Sequence, residues 1–142
     1  MRYHSRSISL ETGRRLEVLD ITSDVRRVVR ESNIRRGLVN LWIPHTTAAI
    51  TINEHDPDLW DDILKTILRL VPLEGEYRHN LKYRWLPREQ NAHAHILSSL
   101  MKPSLTIPLD GGMLQLGSWQ AILFIELDGP RSRTVHVTVM GE

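Results

Sequence analysis

The chain has seven histidines, seventeen carboxylates and no cysteine. Without thiols there is no disulfide, zinc-thiolate site or cysteine nucleophile, which leaves imidazole, carboxylate and hydroxyl groups for chemistry. His45, His79 and His95 each stand where a segment begins, ends or gives way to loop, with 33 and 15 residues between them. Three imidazoles are enough ligands for a catalytic metal with one open position. His93 is different from His95 despite the spelling NAHAH, because two residues along a helix turn through roughly 200° and point the rings apart. His95 instead shares a face with Ser98 and Ser99. His4, His55 and His136 read as solvated or core-satisfied side chains.

The stretch HTTAAITINE, His45 to Glu54, carries polar groups at both ends of a β-branched segment. Its alternation puts Ala48, Ile50 and Ile52 on the core face, with His45, Thr47, Ala49, Thr51 and Asn53 opposite. Glu54 at its exit suits a general base, a cap for the following helix, or a ligand for a divalent cation. An unbroken strand would hold His45 and Asn53 roughly 26 Å apart, so one chain cannot place both ends in one site. If both are functional, the strand bends or the two ends meet across copies.

These groups need elements to position them. Tyr3–Leu10 and Arg15–Ile21 read as two strands joined at Thr12-Gly13, an opening hairpin. Thr22 or Ser23 caps a helix to about Asn33, with Gly37 as its terminator, and Leu38–Ile43 resumes as a strand. Asp56-Pro57 starts a second helix, in which Trp60, Ile63, Leu64, Ile67, Leu68 and Val71 recur at helical spacing until Pro72. From there to Gln90 no period is sustained. Tyr77, Tyr83 and Trp85 alternate with Arg78, His79, Lys82 and Arg84, a composition that suits either a loop holding a planar or phosphorylated ligand or one pinned by its aromatics. A short helix follows from Asn91, its possible cap, to Met101. Ser104–Leu109 pairs with Met113–Leu116 across Asp110-Gly111, and Trp119–Leu127 with Arg133–Met140 around Asp128-Gly129-Pro130. Gly111, Gly112 and Gly117 fit no phosphate-loop pattern and read as turn glycines. The order predicts one α+β domain over residues 1–142. About eight mostly antiparallel strands carry two longer helices and one short helix packed on one face of the sheet.

Bulk composition agrees with a single globular domain: 41% hydrophobic, 25% charged, net charge +1. No apolar run approaches the roughly 20 residues of a membrane span, and the N-terminus lacks a signal-peptide pattern, so a cytoplasmic protein with no membrane partner is expected. Nine arginines fall within residues 1–36, but the balanced total argues against a dedicated nucleic-acid binder.

Taken in order, HTTAAITINEHDP, Tyr77 with His79-Asn80, NAHAHILSSL and SLTIPLDGGMLQLGSWQAILFIELDGPRSR resemble the YjbQ family, also called secondary thiamine-phosphate synthases, over nearly the whole chain. The resemblance implies a homotrimer with orthogonally packed sheets, and sites at subunit boundaries. It places His45, Asn53, Glu54, His79, His95, Ser98, Gly117, Trp119 and Gln120 on motif positions. The activity it implies joins a pyrophosphorylated aminopyrimidine to a thiazole phosphate. His45, His79 and His95 would then hold a divalent metal, zinc or magnesium. Glu54, Asn53 and Gln120 would be catalytic, and Arg78, Lys82, Arg84, Ser98 and Trp119 would contact a small phosphorylated metabolite. Charge neutralisation and positioning are what departure of pyrophosphate requires. Two alternatives are a metal-dependent phosphate-ester hydrolase and a non-catalytic trimeric metabolite-binding protein. His93 stands where the family commonly has Asp, Ser118 where it has Thr, and Lys102-Pro103 where Gly usually follows the serines.

Overall fold

Alternation in the strands and helical stripes between them sort the apolar side chains into two cores rather than one. The computed structural model describes residues 1–142, as eight strands and four helices: β1 (Arg2–Glu11), β2 (Glu17–Asp20), α1 (Thr22–Ser32), β3 (Gly37–Trp42), β4 (Ala48–Glu54), α2 (Pro57–Leu70), α3 (Arg78–Lys82), α4 (Ala92–Leu100), β5 (Ser104–Asp110), β6 (Met113–Leu114), β7 (Gln120–Glu126) and β8 (Ser132–Gly141). A 3-10 turn at Pro87–Glu89 precedes α4. The strands form two antiparallel sheets, β1-β8-β3-β5-β6 and β2-β7-β4. No helix is long and apolar enough to cross a membrane.

The larger core lies between the two sheets. Val39 and Leu41 of β3, Val135, Val137 and Val139 of β8, and Ile50 and Phe124 of the small sheet meet the Val25, Val28 and Val29 stripe of α1 there. The smaller core lies on the far side of the small sheet, where Leu123 and Ile125 pack with Ala94 and Leu97 of α4 and with Trp60, Leu64 and Ile67 of α2. The small sheet is thus apolar on both faces, and Ala48, Ala49 and Ile50 are all fully buried. That is why β4 does not present the one-sided alternation expected of it.

Three expectations need correction. The hairpins β1–β2 and β7–β8 do not form, because β1 pairs with β8 in one sheet while β2 pairs with β7 in the other. Each sequence-adjacent pair is split between sheets, an arrangement that turn chemistry alone cannot distinguish from a hairpin. The helices are not on one face either, since α1 and the α2/α4 pair lie on opposite sides of the small sheet. Finally, α1 ends at Asn33, whose φ of 56° supplies the left-handed cap. The start of α2 is as expected, with the Asp56 carboxylate accepting from the Asp58 and Leu59 amides.

One face of the five-stranded sheet is left without a layer. Tyr3, Met140, Leu38 and Pro108 lie in register across four strands, and Trp42 follows four residues along β3 on the same face. Tyr3, Leu38, Trp42 and Met140 are exposed.

Candidate functional site

At the entrance to β4 a cavity of about 330 Å³ is lined by Pro44, His45, Thr46, Thr47, Glu89, Asn91, His95, Arg131 and Arg133, without one hydrophobic side chain. Its floor is a buried ion pair. Glu126 accepts at one oxygen from Thr12 Oγ1 (2.7 Å) and Arg133 Nε (2.8 Å), and at the other from Arg133 Nη2 and the Leu127 and Asp128 amides. Arg133 also donates to the Thr47 carbonyl and hydroxyl, so β4, β7 and β8 are tied together at their site ends.

His45 and His95 line the cavity, and His79 stands against it through His95 and Asn91. His79 and His95 are edge to face, their ring centroids 4.9 Å apart. Asn91 organises them. Its Nδ2 donates to Asp128 (2.7 Å), so its Oδ1 faces His79 Nε2 at 3.0 Å and accepts from it, leaving the His79 Nδ1 lone pair free. A carboxylate behind an amide behind an imidazole is the kind of outer support that orients a ligand histidine and fixes its tautomer. Asn91 therefore does not cap α4 as its position suggested. Asn80 Oδ1 accepts from the Ala92 amide instead. Asp128 is further held by Arg131 at 2.7 Å.

His45 lines the same cavity, but its Nε2 accepts from the Thr134 amide at 2.9 Å. The neutral ring then carries its proton on Nδ1 and acts as a hydrogen-bond donor. Burial holds the His45 imidazole below its ordinary pKa, aided by the Arg133 charge, and burial followed by His79 does the same for His95. Both are neutral at pH 7. No three histidine or carboxylate side chains converge within the chain to complete a metal site. The donor set fits one part of such a site, two imidazoles with their outer support, and a further ligand would have to come from elsewhere.

The remaining residues singled out from the sequence fall elsewhere. Ser98 is buried and donates to the Ala48 carbonyl at 2.9 Å, which fastens α4 to β4. Arg84 lines a separate cavity with Arg15, Tyr77 and Asn80, while its guanidinium lies over Trp85. Lys82 reaches over Tyr83, and Arg78 is exposed on α3. Glu54, Trp119 and Gln120 line a cavity at the opposite end of β4 that shares no residue with the imidazole pocket. Gln120 Oε1 accepts from the Gly117 amide, and Asn53 Oδ1 from its neighbour Glu54. Arg131, Asp128, Glu126 and Arg133, which shape the imidazole pocket, carry only turn and strand-end signals in the sequence.

Buried His93 is the site's neighbour and follows a different logic. Its Nε2 donates to the Leu127 carbonyl at 3.0 Å, and its Nδ1 has no partner. Burial depresses its pKa, so in the folded chain it resists protonation that the unfolded chain accepts below about pH 6.5. The resulting stability is complete above that pH. It is lost on acidification at about 1.4 kcal/mol per pH unit until the folded-state pKa is reached. Urea unfolding between pH 8 and 5 should show this slope, and His93→Gln, which keeps a donor for Leu127, should reduce it. Equal slopes in both proteins would refute the assignment.

Comparison with known proteins agrees with this architecture. Residues 6–142 match the family described as UPF0047 protein YjbQ-like. A UPF0047 protein of Methanothermobacter thermautotrophicus is 39% identical over 142 residues, covering 100% of this chain and 95% of its own length. YugU of Bacillus subtilis is 38% identical over 137 residues, covering 96% and 98%. Among solved structures, a YbjQ-like protein of unknown function from Sulfolobus solfataricus superposes with a TM-score of 0.92 at 35% identity, covering 99% of both chains. A hypothetical protein from Aeropyrum pernix gives 0.91 at 42% identity, covering 97% and 98%. The fold is that of a class of small α+β proteins with two antiparallel sheets. The chain is a member of the YjbQ-like UPF0047 family.

That membership corrects the activity expected from the sequence. The relatives are named only as UPF0047 proteins, and the Sulfolobus structure as a protein of unknown function. None of these carries a thiamine-phosphate synthase name, and the assignment of that reaction to this chain is withdrawn, together with the phosphate-ester hydrolase alternative.

Proposed function

We propose that the pocket at the entrance to β4 is a divalent-metal site that takes a small phosphorylated metabolite. The observation that carries this reading is the His79–His95 pair, with His79 oriented through Asn91 by Asp128. Imidazole nitrogens favour zinc over magnesium. His79 and His95 supply two positions, and the ligand, water or a neighbouring copy supplies the rest. His45 Nδ1–H and Arg131 donate to the anion. Assembly as a homotrimer with sites at the boundaries is part of the same reading. The uncovered face with Tyr3, Leu38, Trp42 and Met140 supports it, because an apolar row on an antiparallel sheet calls for a cover.

Elemental analysis after exhaustive dialysis against zinc tests the metal. Wild-type protein should retain about one zinc per chain, and the His79→Ala/His95→Ala double variant none. Full retention by the double variant would overturn the assignment. Light scattering should give three times the chain mass for the wild type and a smaller species for Trp42→Lys.

A further inference from the structure

The cavity at the other end of β4 contains a histidine–carboxylate pair that the imidazole pocket does not use. His55 Nδ1 lies 2.5 Å from Asp20 Oδ2. The other Asp20 oxygen accepts from the Thr22 amide (2.9 Å) and the Thr22 hydroxyl (2.6 Å), while Thr22 Oγ1 accepts from the Ile122 amide (2.8 Å). The carboxylate is therefore built into the junction of β2, α1 and β7 and cannot swing. Burial alone would raise its pKa, but the hydrogen bonds from Thr22 and His55 bring it below its ordinary value, so it is ionised. Trp60 packs edge to face against the His55 ring at 4.8 Å, and its indole N–H is fixed on the Glu54 carbonyl. With Nδ1–H donating to Asp20, the His55 Nε2 lone pair is left free on a ring whose side chain is 61% exposed.

The surroundings are suited to a reaction. Arg26, Glu54, Trp119 and Gln120 line the same cavity of about 410 Å³. Trp119 is 77% exposed and presents an indole to solvent at its rim. The Gln120 carbonyl oxygen is engaged by Gly117, so its NH2 group is the end available to a ligand.

We propose that this cavity is a second site, in which the Asp20–His55 pair acts as general base toward water in the hydrolysis of small aromatic esters that stack on Trp119. A water O–H bond breaks, its proton passes to His55 Nε2, and its oxygen bonds to the acyl carbon. Arg26 and the Gln120 amide donate to the oxygen that becomes negative. Collapse of the adduct breaks the C–O bond to the aromatic leaving group, which receives the proton from His55. Ester and water become acid and phenol, and the pair is restored. Asp20 keeps the proton of neutral His55 on Nδ1 and stabilises the imidazolium as it forms.

The probe is 4-nitrophenyl acetate, followed by release of nitrophenol. General-base assistance contributes roughly 100-fold or more, so His55→Gln should lose about that factor. His136→Gln should keep the wild-type rate, which separates the site from general imidazole reactivity. Asp20→Asn should lose at least about tenfold in kcat with KM little changed, a split that a merely structural role would not give, with thermal melting reported beside it because Asp20 also holds the start of α1. Trp119→Ala should raise KM with kcat preserved, and Trp119→Phe should restore it. Wild-type protein stripped of metal with EDTA should hydrolyse the ester at the untreated rate, since this proposal does not depend on the metal site. A folded His55→Gln protein as active as wild type would overturn it.

Discussion

Replacing Glu126 by Gln is expected to cost about 3–5 kcal/mol of stability, the size found when one member of a buried ion pair is removed. The reason is local and specific. Every group facing this fully buried carboxylate is a donor: Thr12 Oγ1, the Arg133 guanidinium, and the Leu127 and Asp128 amides. A glutamine amide would turn N–H groups toward N–H groups and leave the Arg133 charge, on a side chain 4% exposed, without its counter-ion. Desolvation of an unpaired cation outweighs the lost pairwise attraction. Since a domain of this size has about 5–15 kcal/mol in total, the variant should unfold at much lower urea, with an unchanged m-value. A Glu126→Leu/Arg133→Met protein should recover part of the loss, because Thr47's carbonyl keeps the Leu127 amide as a donor while the charges disappear together. A midpoint within 0.3 M of the wild type for Glu126→Gln, roughly 0.6 kcal/mol at ordinary m-values, would show that the pair is unimportant to the fold.

The elements were legible in the sequence where a signal is local. Asp56-Pro57 and the Trp60 to Val71 stripe mark α2 because capping and periodicity act within a few residues. Pairing was not legible. Thr12-Gly13 and Asp128-Gly129 look like hairpin turns, yet each lets the chain cross from one sheet to the other. Which strand a segment joins depends on the whole core, and nothing at the turn records it.

The same division runs through the sites. His79 and His95 could be picked out by residue type beside the aperiodic stretch, although His95 lies within α4, and the separation of the two ends of β4 followed from strand rise alone. Asn91 looked like a cap because its position before a helix is the usual cap position, and only the placement of Asn80 frees it for His79 and Asp128. Asp20 and His55 are 35 residues apart and meet because β2 and the end of β4 both flank β7. A contact of that range leaves no pattern in one sequence.

Replacing Gly129 by Ala is expected to cost about 3 kcal/mol, at the upper end for overpacking. A methyl there would meet the Arg14 carbonyl oxygen and come within 2.8 Å of Thr12 Oγ1 and 2.9 Å of Glu126 Cγ. Two of those three contacts belong to the buried network, so the clash is relieved only by moving Thr12 off the carboxylate or by displacing the segment that carries Asp128. Either movement reaches the imidazoles, because Asp128 holds Asn91 and Asn91 holds His79. On the metal reading proposed for this pocket, the variant should therefore lose zinc as well as stability. Gly117→Ala is the matched control: its methyl would lie no nearer than 3.4 Å to the Gln120 side chain, an ordinary contact. It should melt within about 0.5 kcal/mol of wild type and keep its metal. Parallel melting and zinc titration of the two variants distinguish a site that depends on this network from one that merely adjoins it. In the first case stability and zinc fall together in Gly129→Ala; in the second the melting temperature drops while the zinc affinity stays.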